Sequence, residues 1–143
     1  MQTTPDQLTT TTRIDAPIDR VWEAVTTPAL IKQWFFGVDT TSDWKVGTPL
    51  VHTGEYQGKP YVDKGEILRI EPPKLLEHTH WSDVSGKPDR PEDYQTVTWE
   101  LTDRDGATEL RITEQNLPSR EAAEISEQAW NAALGKLKEL LEK

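Results

Sequence analysis

Cysteine is absent from this 143-residue chain, which removes disulfide frameworks, thiolate nucleophiles and Cys-ligated zinc together. Positive charge is scarce as well: 16 basic against 25 acidic residues leave a net charge of −9. Such a chain repels a phosphate backbone and an anionic lipid surface, so neither nucleic acid nor membrane insertion is expected. No apolar run approaches the length of a membrane span. Met1 to Asp6 lack both the basic and the apolar part of a signal peptide, which points to the cytoplasm. A Gly-x-Ser-x-Gly elbow, a Gly-x-Gly-x-x-Gly turn and a Walker loop are also missing, so nucleophilic hydrolysis, dinucleotide binding and phosphoryl transfer have no support. No repeat or low-complexity linker divides the chain. Its length suits one domain, 1–143, with a flexible tail over 1–7.

Tryptophan, by contrast, is abundant. Trp22, Trp34, Trp44, Trp81, Trp99 and Trp130 outnumber Tyr and Phe together. Each offers roughly 150–250 Å² of buriable surface, enough to tip a charged chain toward folding.

Hydrophobic periodicity places the elements. Residues 8–14 are rich in β-branched side chains and set Leu8, Thr10, Thr12 and Ile14 on one face of a strand. The period then changes to three and four at Ile18, Val21, Trp22 and Val25, behind Pro17, which predicts a short helix ending near Thr26. Thr27 as N-cap and Pro28 at the first position open another, carrying Leu30, Ile31 and Trp34 until Gly37 stops it. Strands follow near 44–53, 61–71, 75–82, 95–103 and 107–116, with a weaker one at 38–42. Breaks are expected at 54–60 and at Pro72-Pro73, and Asp105-Gly106 signals a hairpin. The polar stretch Asp83 to Asp93 is longer than a hairpin needs, and reads as a mobile loop or a lid.

From Ser119, a plausible N-cap, one amphipathic helix runs to Lys143. Ala123, Ser126, Trp130, Ala133, Leu134, Leu137 and Leu141 fall on its apolar stripe. Bulk is concentrated toward the C-terminal end. Ala123 and Ser126 leave room at the other, so a hollow is expected beneath them. Gly135, on the polar side, should cost about 1 kcal/mol relative to Ala. Together these elements predict a two-layer α+β fold, a curved antiparallel sheet wrapped round the final helix.

Ile14-Asp15-Ala16-Pro17, then Val21 to Thr26 and Trp34, resemble the opening of the START-like (SRPBCC) superfamily. Val46-Gly47, Gly65-Glu66-Ile67 leading to Glu71-Pro72-Pro73-Lys74, Thr108 to Ile112, and Trp130 with Leu134 and Leu137 extend the match along nearly the whole chain. Within the superfamily the pattern is similar to domains related to the C-terminal part of the activator of the ninety-kilodalton heat-shock protein's ATPase. It departs at Thr48 and Ala129, where the family usually has glycine. The resemblance implies a helix-grip fold with six or seven strands, two short helices after the first strand, and a cavity holding a hydrophobic small molecule. It also implies two alternatives: a polyketide cyclase or dehydratase-like enzyme, and a chaperone-contacting module linked to the stress response.

The resemblance sets Leu76 inward, and alternation then turns His78 and His80 the same way. Leu110 and Ile112 carry Glu114 inward, Val97, Trp99 and Leu101 line the strand between, and Leu50 and His52 line an earlier one. The expected ligand-binding set is Trp34, Leu50, His52, His78, His80, Trp99, Leu110, Ile112, Glu114, Ser126 and Trp130. His78, His80 and Glu114 are the candidates for proton transfer. A His-x-His pair can chelate metal, but His52 is about 9–10 Å away across two strands, so no metal is expected. No cofactor is implied, and an enzyme is the less favoured reading.

Overall fold

The computed structural model describes residues 7–84 and 86–142. In chain order the elements are β1 (Gln7–Ile14), α1 (Ile18–Thr26), α2 (Pro28–Trp34), β2 (Asp39–Ser42), β3 (Pro49–Tyr56), β4 (Lys59–Glu71), β5 (Leu75–Ser82), β6 (Gln95–Arg104), β7 (Ala107–Gln115) and α3 (Arg120–Leu141). A single 3-10 turn at Pro91–Asp93 precedes β6. The strands form one antiparallel sheet in the order β1-β7-β6-β5-β4-β3-β2. Every pair but one joins strands consecutive in sequence. The exception is β1 with β7, where Ile14 faces Thr108 and Gln7 faces Gln115.

This is the expected α+β helix-grip architecture. The α3 helix is capped by Ser119, whose side chain accepts from the Ala122 N–H at 3.1 Å. Its stripe of Ala133, Leu134, Leu137 and Leu141 is buried against Val21, Ala24 and Val25 of α1 and the inward residues of the central strands. Truncating fully buried Leu137 to Ala would cost about 2–5 kcal/mol. The far end of α3 is tied to the β1–α1 link: Lys138 donates to the Arg13 carbonyl at 2.7 Å, and Glu142 accepts from the Asp15 N–H at 2.8 Å. Trp34 donates from its indole to the Ala24 carbonyl at 2.9 Å, locking α2 onto α1. No described helix is long and apolar enough to cross a membrane.

Four local expectations are corrected. Residues 44–48 form a turn rather than the start of β3, because Trp44 and Gly47 both have positive φ. The break expected at 54–60 shrinks to Gln57-Gly58, a tight turn with φ of 52° and 80°, so β3 and β4 pair out to Tyr56 and Lys59. Thr27 stands at the N-cap of α2 but makes no side-chain capping bond. Of the tail expected over 1–7, residues 1–6 lie outside the described residues, and Gln7 already belongs to β1. The Asp105-Gly106 hairpin turn, with φ of 56° and 91°, joins β6 and β7.

The described part of the 83–93 segment packs against Lys64 and Trp81 on the sheet: Lys64 pairs with Asp89, Tyr94 stacks on Trp81 at 6.2 Å, and the Trp81 indole donates to the Lys87 carbonyl at 3.2 Å. Asn116 secures the end of the loop by donating to the carbonyls of Glu92 and Tyr94.

Candidate functional site

Beneath the N-terminal half of α3 the layers separate. The main core lies under Ala133 to Leu141, and a second, small one gathers Leu8, Leu117 and Ala123; Trp130 touches both. Alongside it is a cavity of about 190 Å³, walled on the helix side by Ser126, Ala129 and Trp130. Closing the gap would take side chains larger than those of Ser126 and Ala129. For scale, a dry apolar cavity of about 150 Å³ holds benzene.

The walls are aromatic. The Trp99 ring meets Trp130 edge-on at 5.2 Å, and Phe35 stacks on Trp130 at 5.8 Å. Phe35 reaches this place because α2 ends there: its N–H donates to the Ile31 carbonyl, and the next residue, Phe36, turns left-handed at φ 54°. Phe36 lines the same cavity and is 49% exposed. On the far side Tyr61 lies over Gly54, its cross-strand partner; a Cβ at Gly54 would stand 2.7 Å from the Tyr61 ring.

The polar groups sit on one curved floor formed by β3, β4, β5 and β7. His52 faces Asp63 across the β3–β4 ladder, and His80 Nε2 lies 3.4 Å from Asp63 Oδ2. Thr40 holds His52 through Nδ1 at 2.8 Å. Burial pushes His52 down to about 4, so the ring is neutral near neutrality. Burial opposes charge on His80 and Asp63 and is the largest single influence on each, but the hydrogen bonds and charges around them together outweigh it. His80 is raised by Asp63, with Glu114 adding to the pull, and Asp63 is held below the usual carboxylate range by His80 and Ser82. Asp63 Oδ1 is buried with no hydrogen-bond partner. Glu114 is 5% exposed and accepts from the Trp130 indole at 3.2 Å.

His78 lines the cavity but has no free nitrogen to offer. Nε2 accepts from the Trp99 indole at 3.0 Å, and Nδ1 bonds the Thr79 carbonyl at 2.9 Å. Burial pushes it down to about 3. Among the described residues no group of three or more His, Asp or Glu side chains is arranged to hold a metal ion.

Of the eleven residues read as ligand-binding from the sequence, seven line this cavity: His52, His78, His80, Trp99, Glu114, Ser126 and Trp130. The other four do not. Leu110 and Ile112 are wholly buried in the main core, and Trp34 and Leu50 border a separate void of about 20 Å³. Alternation gave the side of the sheet correctly for Leu50, Leu110 and Ile112 but not their distance along it. Phe35, Phe36, Tyr61 and Asp63 were missed. Counting in twos back from Ile67 turns Gly65, Asp63 and Tyr61 inward, whereas counting from Ile70 turns them out. The register shift between Ile67 and Arg69 makes the first count the right one.

A seven-stranded antiparallel sheet gripping one long helix, with an aromatic-walled chamber between them, defines a helix-grip protein of the START-like class. The chain belongs to the family described as Activator of Hsp90 ATPase homolog 1-like protein, whose model matches residues 15–142. It is similar to ChR145 from Cytophaga hutchinsonii, with 41% identity, a TM-score of 0.82, and 95% of this chain and 93% of that one covered. It is also similar to CalU16 from Micromonospora echinospora, at 27% identity and a TM-score of 0.71, covering 92% of this chain and 73% of that one. DynU16, described as a putative protein in the dynemicin biosynthetic locus, is 25% identical with a TM-score of 0.80; the match takes in 98% of this chain but 48% of DynU16. No curated protein matches the sequence.

Proposed function

We propose that this protein binds a hydrophobic, aromatic small molecule of one ring or a little more in the chamber between the sheet and α3. The observation that carries this reading is the hollow of about 190 Å³, walled by Trp99, Trp130 and Phe35. Native interiors are close-packed, and a space of this size with a few convergent polar groups is the usual form of a ligand site. Titration of substituted benzenes, followed by calorimetry and tryptophan fluorescence, tests it. Saturable micromolar binding is expected, lost in Ser126→Leu, whose side chain projects into the space. A panel of such compounds that leaves both signals unchanged overturns the reading.

One observation favours a second reading, a cyclase or dehydratase-like enzyme. The His80–Asp63 pair pairs a raised histidine with a lowered carboxyl on the cavity floor, an arrangement suited to moving a proton on an enclosed substrate. DynU16, a putative protein of a biosynthetic locus, shares the fold. Under this reading His80→Ala abolishes turnover of a polyketide-like substrate while binding persists; turnover that survives the substitution removes it.

A further inference from the structure

Asp63 is the one described residue with a buried side-chain oxygen or nitrogen that lacks a partner. It lies on the floor of the chamber rather than in the packed core. Oδ2 faces His80, Ser82 stands beside the same carboxylate, and Oδ1 has no hydrogen-bond partner among the described residues. A buried acceptor without a donor forfeits the hydrogen bonds it had in water, so the site gains whenever an enclosed molecule supplies one.

The charge balance of the chamber narrows what that molecule is. Its titratable lining consists of His52, Tyr61, Asp63, His78, His80 and Glu114; no described Lys or Arg lines it. His52 and His78 are held neutral by burial. Two carboxyl groups therefore stand against a single basic group, His80, which is already engaged with Asp63. An anionic ligand meets repulsion here. A cation gains from Asp63 directly and from the ring faces of Trp99, Trp130 and Phe35, whose quadrupoles attract positive charge.

We propose that the chamber selects protonated aromatic amines, the ring seated against Trp99, Trp130 and Phe35 and the ammonium donating to the Asp63 carboxylate. This rests on the ligand-binding reading above and adds the chemical class. Asp63 is then the specificity determinant, and Glu114 adds attraction from the neighbouring part of the wall.

Three phenyl probes of similar size test it near neutral pH: 2-phenylethylamine, propylbenzene and phenylacetate, titrated by calorimetry. The expected order is amine, then hydrocarbon, then acid, with the amine at least roughly tenfold tighter than the hydrocarbon, as for one charge-assisted bond. In Asp63→Asn, checked for native tryptophan emission, the amine-to-hydrocarbon ratio falls about tenfold. Hydrocarbon binding with no advantage for the amine, as when water already satisfies the carboxylate, overturns this proposal and leaves the ligand-binding reading standing. An advantage undiminished in both Asp63→Asn and Glu114→Gln overturns it as well. Failure of all three probes to bind overturns both. The ranking in the unaltered protein decides without reliance on any variant's folding.

Discussion

The Trp99 indole donates to Nε2 of His78 at 3.0 Å. An indole N–H can only donate, so Nε2 must be the unprotonated nitrogen, and Nδ1 carries the hydrogen given to the Thr79 carbonyl. The bond therefore fixes both the tautomer and the neutrality of a buried histidine. The sequence made His78 a candidate for proton transfer. Its geometry instead makes it a fixed part of the wall, and His80 is the histidine left to interact with a titrating partner.

This arrangement makes stability fall in mild acid. His78 and His52 are pushed down to about 3 and about 4 in the folded state, so the unfolded chain, with histidines near 6.5, takes up protons first. Their contribution is complete above about pH 6.5 and is lost as pH falls toward those folded values. Between about pH 7 and pH 5 buried His78 alone accounts for about 2 kcal/mol, and half-buried His52 for less. His80 acts oppositely: its raised value stabilises fully below about pH 6.5 and loses that effect as pH climbs through the folded value. Urea unfolding at the two pH values should show the loss, and His78→Gln should reduce it by about 2 kcal/mol.

Trp99→Phe keeps most of the ring and removes the donor. Leaving His78 Nε2 buried and unpaired should cost about 1–3 kcal/mol, measurable as a lower urea midpoint at unchanged slope. A change within error would mean that the indole bond contributes nothing net.

Trp130 separates wall from core. It is only partly buried, stands between the two apolar clusters and donates to Glu114. Trp130→Ala should therefore cost less than the roughly 3–5 kcal/mol of a fully buried aromatic, while weakening ligand binding strongly. Parallel denaturation and titration of the variant measure the two effects. A full core-sized loss of stability with affinity retained would contradict the assignment.

Gly135 is exposed on α3, and a Cβ there meets nothing within 4 Å. Gly135→Ala should raise stability by about 1 kcal/mol with no effect on ligand binding. Thermal denaturation and the same titration check both halves of the statement.

The stripe on α3 was legible because a helix buries residues by angle alone. Leu134, Leu137 and Leu141 fall on the core side, and the smaller Ser126 falls over the chamber. The inward faces of β5 and β7, with His78, His80 and Glu114, were legible for the same kind of reason, since alternation is a local property of a strand. Asp63 was not, because a register shift near Leu68 reverses the alternation on which such a reading depends. Phe35 and Phe36 were not, because the left-handed turn ending α2 decides where they point.

The elements, their order and the inward residues of β5, β7 and α3 could be read from the sequence, since these follow from periodicity, turn chemistry and local backbone preference. Tertiary structure alone decided where along the sheet the layers part, that His78 is bonded at both nitrogens, and that Asp63 stands beside His80 with one oxygen unpaired. The physical reason is that these facts depend on cross-strand register and on how far a curved sheet stands from its helix. No single segment encodes either.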